Sequence, residues 1–417
     1  MHPTPLELVA AVLFAIALAH TFAAKQIEHL SHRFPRHAGV FHLLGEVEVV
    51  FGFWAVVLVL VMALMAGGGE ALRYAETRNY TEPLFVFVIM AIAGSRPVLQ
   101  AVFGVVNLLA RGLPLPRPLA VLWLGLAAVP LAGSLITEPA AMTIAALLLA
   151  PVIFRPEVPE PAKYLAIGTL FVNVSIGGTL TAYAAPPVLM VAGAWQWDSG
   201  YVFGMIGWKA LIAVLVNATV ATVLLRRRVG AGSEAAPQRE PVPFALMLVH
   251  LALLAGVVLL AHHPVAFLGL FLLFLGVAQA YERHQDRLLL KEALLVAFFL
   301  AGLVVLGGLQ RWWLQPLVAS LSPVALFFGA TALTAITDNA ALTYLGAQIP
   351  GLADATKVLL VSGAVAGGGL TVIANAPNPA GAALLKRGFE DETVGAGGLF
   401  LGALGPTVVA VLAFLLL

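Results

Sequence analysis

Stretches of about 20 residues without a charge recur along this chain, and a helix needs about that many apolar residues to cross a bilayer core. Residues 49–69, 118–137, 164–197 and 394–417 are each uncharged throughout. Of the 417 residues, 61% are hydrophobic and only 10% are charged, against roughly 25% charged in a soluble domain. The natural solvent of such a chain is lipid. A net charge of +1 offers no field to nucleic acid, and the absence of cysteine excludes disulfides, thiolate metal sites and iron–sulfur ligation. No cofactor is expected. What remains is a transporter, a channel or an intramembrane enzyme.

Measured against that length, the first spans fall at 6–24, 46–65 and 83–109. The first reads as a permanent helix, because its leader carries Glu7 and no lysine or arginine. Residues 119–154 are interrupted by Ser134-Leu135-Ile136-Thr137-Glu138-Pro139, and 162–194 are broken at Gly177-Gly178-Thr179 and Pro186-Pro187. An unbroken span at 202–225 and a polar linker at 226–243 follow. The order then returns, with spans at 244–261, 265–281 and 288–309. Residues 316–349 are interrupted by Thr334-Ala335-Ile336-Thr337-Asp338-Asn339, and 355–385 by Gly367-Gly368-Gly369 and Asn375-Ala376-Pro377-Asn378-Pro379, before a last span at 395–417. Glu138 and Asp338 lie 200 positions apart in matching motifs, and Gly177 and Gly367 lie 190 apart. The expected fold is an all-α polytopic membrane protein of two inverted repeats, 1–225 and 244–417. Each repeat has about five crossings, a re-entrant hairpin (119–154, 316–349) and a broken helix (162–194, 355–385).

Charge gives the orientation. With the linker in the cytoplasm, sixteen of the 22 basic residues face inward, and only Arg73, Arg78 and Arg311 face outward. Arg96, Lys209 and Lys357 fall within or at the ends of spans. The N-terminus is then outside, in a cell inner membrane. The histidine-rich segment 25–42 reads as a basic interfacial helix on the cytoplasmic surface.

Broken helices free backbone carbonyls and expose helix ends near the midplane, where ions bind. Each hairpin tip carries a carboxylate, Glu138 or Asp338, beside Thr137, Thr337 and Asn339. An acid in hydrocarbon faces a cavity, a partner or an ion, although either could also cap the helix that follows it. The breaks supply Asn173, Ser175, Thr179 and Thr181, then Thr371, Asn375 and Asn378. Neutral oxygens around one carboxylate suit a hard monovalent cation, and helix packing is the competing reading for each of them. Gly177, Gly178, Gly367, Gly368 and Gly369 are structural breaks. Arg96 pairs with Glu46, Glu48 or Glu138, or else contacts an anion; Glu138 held by Arg96 would leave Asp338 the more important acid.

These paired tips and glycine breaks resemble the ion transporter superfamily over about residues 80–417. Thr337-Asp338-Asn339-Ala340 is similar to the acidic hairpin motif of the D-type sodium/proton antiporters and the arsenite-pump membrane subunits. Gly177-Gly178-Thr179 with Pro186-Pro187 resembles their second motif, and sodium/proton antiporters are the nearest group. Divalent-anion symporters carry Ser-Asn-Thr at the tips, where acids stand here. The resemblance implies a homodimer, with the first two spans of each half as scaffold, that exchanges sodium or another monovalent cation for protons by competition at the tip carboxylates. An anion transporter for arsenite, carboxylates or other oxyanions is the first alternative, and an intramembrane enzyme the second.

Overall fold

The computed structural model describes residues 3–229 and 241–417, apart from the side chains of Phe22, Lys25, Glu28, His29, Ser31, His32, Val47, Glu48, Ala319 and Asp391. Glu48 as a partner for Arg96, much of the linker and several charged groups of segment 25–42 therefore lie outside the described residues. Within them the secondary structure is helical, as lipid demands, since a helix satisfies its own backbone hydrogen bonds. Val49–Ala66, Ser199–Leu225, Leu290–Gly307 and Ala396–Leu416 are each long and apolar enough to cross a bilayer alone. Two bent pairs pass the same test together: Thr81–Ala93 with Arg96–Gly112, bent by 66°, and Arg117–Leu126 with Ala128–Ile136, bent by 42°. The protein is an all-α, multi-pass membrane protein.

The first bend corrects the straight span read at 83–109. Ser95 is extended, with φ −71° and ψ 146°, and Pro97 lacks an N–H, so the helix stops at Ala93 and restarts at Arg96. Gly94 lies against Leu289, and the Gln100 side-chain oxygen accepts from the Val242 N–H at 3.0 Å. Arg96 thus stands at the first turn of a new helix, between Gly94 and Gln100, which meet the loops that precede Leu290 and Phe244. Glu46 pairs with Lys291 at 2.9 Å.

Small residues let the spans approach closely. A Cβ on Gly302 would run into the backbone of Phe51 and Gly52, and one on Gly52 into the ring of Phe298. Phe51 fills the seam edge-on to Phe299, with centroids 5.2 Å apart, and to Phe14 at 5.6 Å. Gly168 meets Gly402 and Ala403 in the same way. At one end of this bundle the short helix Gly68–Glu76 is clamped by Tyr74, whose hydroxyl donates to the Val305 carbonyl at 2.6 Å. Burial pushes the Tyr74 phenol up to about 12, so it keeps its proton, and this bond, at any working pH.

The seam predicts that Gly302→Val costs roughly 1–3 kcal/mol of stability through overpacking. A lowered melting temperature in detergent is the readout. Gly269→Val, where a Cβ meets nothing within 4 Å, should leave that temperature nearly unchanged.

Candidate functional site

The segments expected as hairpins hold the helices Ala128–Ile136 and Glu138–Ile153, and Pro323–Thr334 and Asn339–Ala347. The broken helices are Glu160–Gly177 with Pro186–Trp195, and Asp354–Gly367 with Asn378–Leu385. Each break needs partners for its loose backbone, and side chains of the facing hairpin supply them. Ser134 Oγ donates to the Gly177 carbonyl at 2.7 Å and accepts from the Leu180 N–H at 2.9 Å. Thr181 donates to the Ser134 carbonyl at 2.7 Å, and Thr371 to the Ala335 carbonyl at 2.8 Å. Asn378 bridges its own break, its amide donating to the Gly368 and Thr371 carbonyls at 2.8 and 2.9 Å. Ser134, left out of the ligand candidates, is thus central to this join; its place in the duplicated motif opposite Thr334 was the signal for it.

Contacts also cross between the halves. Ser175 Oγ donates to the Val365 carbonyl at 2.8 Å and accepts from the Asn339 amide at 3.3 Å. The Asn375 amide donates to Glu138 Oε2 at 2.8 Å. A Cβ on Gly178 would stand 2.6 Å from Glu138 Oε1, and one on Gly368 would strike Ser175 Oγ. Only glycine lets the backbone come this close. Gly177, Gly367 and Gly369 likewise lie against the backbone of Pro130, Thr331 and Val172.

The two acids differ in posture. Asp338 caps the second arm of its hairpin, one oxygen accepting from the Ala340 and Ala341 N–H groups at 2.8 and 3.2 Å. Glu138 is the first residue of its own arm, is 0% exposed, and reaches across to Asn375. Its expected pairing with Arg96 is not made. Asn375 links the two acids, bonding to Glu138 and lining one cavity with Asp338. Asp338, 9% exposed, lines a cavity of about 30 Å³ together with Thr337, Asn375 and side chains of the first helix. That volume suits a water or a small ion. Among the described residues, those that line it are apolar or neutral apart from Asp338.

Several buried oxygens here have no hydrogen-bond partner: Glu138 Oε1, Thr137 Oγ1, Thr334 Oγ1, Asn339 Oδ1, Asn375 Oδ1 and Asn378 Oδ1. The asparagine amides donate to backbone or to a carboxylate, or in Asn339 to a serine, and their carbonyls are left over. Asn173 does not join this set. Its amide donates to Leu126 O at 2.7 Å and its oxygen accepts from Asn217 at 3.0 Å, so it ties helices together. Thr179 donates to the Ile176 carbonyl at 2.6 Å within its own turn.

Thr137 carries a further signature, φ +79° in a β-branched residue. Such a conformation costs roughly 1–3 kcal/mol. Thr137→Gly is therefore expected to raise the melting temperature of the detergent-purified protein. Thr337→Gly, outside the positive-φ set, should lower or preserve it.

No match to the chain was found among curated proteins. Among solved structures the chain is similar to the Alcanivorax borkumensis YdaH transporter, at 16% identity over 88% of this chain and 96% of that one, with a TM-score of 0.45. A family model described as "Putative Na+/H+ antiporter" matches residues 5–417. On that match the chain belongs to this family, a family of transporters and not of enzymes.

Proposed function

We propose that the protein exchanges a monovalent cation, sodium first, for protons at one site shared by the two hairpin tips. The observation that carries this reading is the one-sidedness of the buried polar groups. Among the described residues of the two tips and the breaks, the unpartnered buried side-chain atoms are all oxygens that can accept, four of them carbonyl or carboxylate oxygens. A cation needs such a lining; an oxyanion needs donors. Arg96, the residue that would favour an anion, opens the helix after the bend, two residues from Gly94, which lies against Leu289.

The chemistry is competition. A buried carboxylate pair cannot keep two uncompensated charges in a low-dielectric interior. A bound cation offsets one charge, and a proton offsets it equally well, so each excludes the other. Asp338 keeps one oxygen on backbone N–H groups, and Asn375 positions Glu138 from the opposite half. This reading revises the weight expected for Asp338: both acids belong to the site, with Glu138 the more deeply placed. Thr137, Thr334, Asn339, Asn375 and Asn378 supply neutral oxygens, while Ser175, Thr181 and Thr371 hold the breaks open.

Two inverted repeats joined by the 226–243 linker fit this reading. Ser175 bonds to Val365, 190 positions on, the offset that aligns Gly177 with Gly367, as expected of residues on a two-fold axis in the membrane plane. The contacts Glu46–Lys291 and Lys163–Gly388 join segments assigned to the cytoplasm by charge. An inner-membrane homodimer with an external N-terminus completes the proposal.

The test is sodium-dependent proton release from acid-loaded proteoliposomes, followed with a pH-gradient dye. Glu138→Gln and Asp338→Asn should each abolish release while the protein inserts normally; asparagine preserves the cap at 338. In the native protein, half-saturating sodium should rise as pH falls, by about tenfold per unit where the proton dominates the site. Undiminished release by either variant, or a sodium requirement independent of pH, would sink the shared site. Counterflow of arsenite or a dicarboxylate in place of sodium would favour the anion alternative.

A further inference from the structure

We propose that a membrane phospholipid places one acyl chain in the apolar cavity between the first helix and the second hairpin, with its phosphate held beside Arg311. The cavity, of about 290 Å³, lies between Phe14 and Leu18 of helix Pro5–Arg33, the short helix Arg311–Ala319, and both arms of the hairpin. Its inner end is at Thr337, the neighbour of Asp338. Apart from that hydroxyl the lining is almost wholly apolar, so a water-soluble guest would find nothing to bond.

Three observations choose the occupant. The rim is formed by Leu317, Leu321 and Leu333, which are 51%, 40% and 47% exposed, so the cavity opens to hydrocarbon. One wall is Gly329, inside helix Pro323–Thr334, where a Cβ would meet nothing within 4 Å. A helix-interior glycine costs about 1 kcal/mol relative to alanine; here its missing side chain is what opens the space. Finally, the short helix begins Arg311-Trp312-Trp313, the basic and aromatic residues that settle at the lipid headgroup level. Arg311 is exposed, at the head of the helix whose Trp313, Leu314, Leu317 and Val318 line the cavity. An exposed cation at the head of a helix that lines a hydrocarbon slot matches a phosphate above an acyl chain. A second copy of the protein would have to push side chains down between hairpin and helix, where a slim flexible chain fits better.

The test compares purified native protein with Gly329→Ala, Gly329→Leu, Gly329→Phe and Arg311→Gln. Each is delipidated in mild detergent and titrated with palmitoyl-oleoyl phosphatidylglycerol under native mass spectrometry. One tightly retained phospholipid is expected on the native protein and on Gly329→Ala. Occupancy should fall by about tenfold in Gly329→Phe and less in Arg311→Gln, whose chain slot is intact. Gly329→Leu serves the same purpose should the phenylalanine variant fail to fold. Equal retention by native and filled-cavity proteins, or retention by neither, would overturn the proposal. So would a shift from dimer to monomer in Gly329→Phe or Gly329→Leu without loss of lipid, which would make this face an interface between copies.

Discussion

A backbone break inside a membrane is tolerated only where side chains replace the hydrogen bonds that the helix gives up, and the rest of this structure depends on that requirement. Ser134, Thr181, Thr371 and Asn378 meet it, each bonding to backbone at a hairpin or a break. Their service has a chemical by-product. Once an asparagine amide donates to a carbonyl or a carboxylate, its own oxygen is left facing inward, and the same geometry that stabilises the break makes the surrounding space attractive to a cation. Structure and proposed binding are therefore one arrangement: removing the amides would cost both.

Much of this was legible in the sequence. The chain is helical where hydropathy puts apolar segments, and helices end at Gly177 and Gly367, where the glycine runs interrupt them, because in lipid the apolar length of a segment nearly determines its conformation. The tip acids could be read from the duplicated motif alone. What escaped was tertiary. No periodicity in residues 83–109 marks the 66° bend, which follows from Ser95 leaving the helical region before Pro97. The bond from Asn375 to Glu138 joins residues 237 positions apart, and the exclusion of Asn173 depends on Asn217 arriving from another helix. The contribution of Leu18 and Thr21 to the cavity beside Asp338 likewise needed the first helix to be placed.

The tips share a motif without sharing a geometry. Asp338 sits one step earlier relative to its helix than Glu138 does, so one acid turns back to cap its own arm while the other is free to reach across. Pro139 accounts for part of this: it can occupy the first turn after Glu138 but has no N–H for a cap to bond. The positive φ of Thr137 then redirects the chain. On the proposed duplication, one element has in this way become two unlike halves of the proposed centre, one acid anchored locally and the other held by Asn375 of the second half.

The Ser175–Val365 bond has a consequence for how such a protein can diverge. On the proposed duplication, a position on the symmetry axis is its own neighbour's copy, so an ancestral substitution there changed both sides of one contact simultaneously. Later drift had to keep the two sides compatible with each other and with nothing else. A side-chain donor meeting a main-chain carbonyl relaxes that coupling, because the carbonyl is present whatever residue carries it. Positions 175 and 365 can therefore differ, serine against valine, and still share one hydrogen bond.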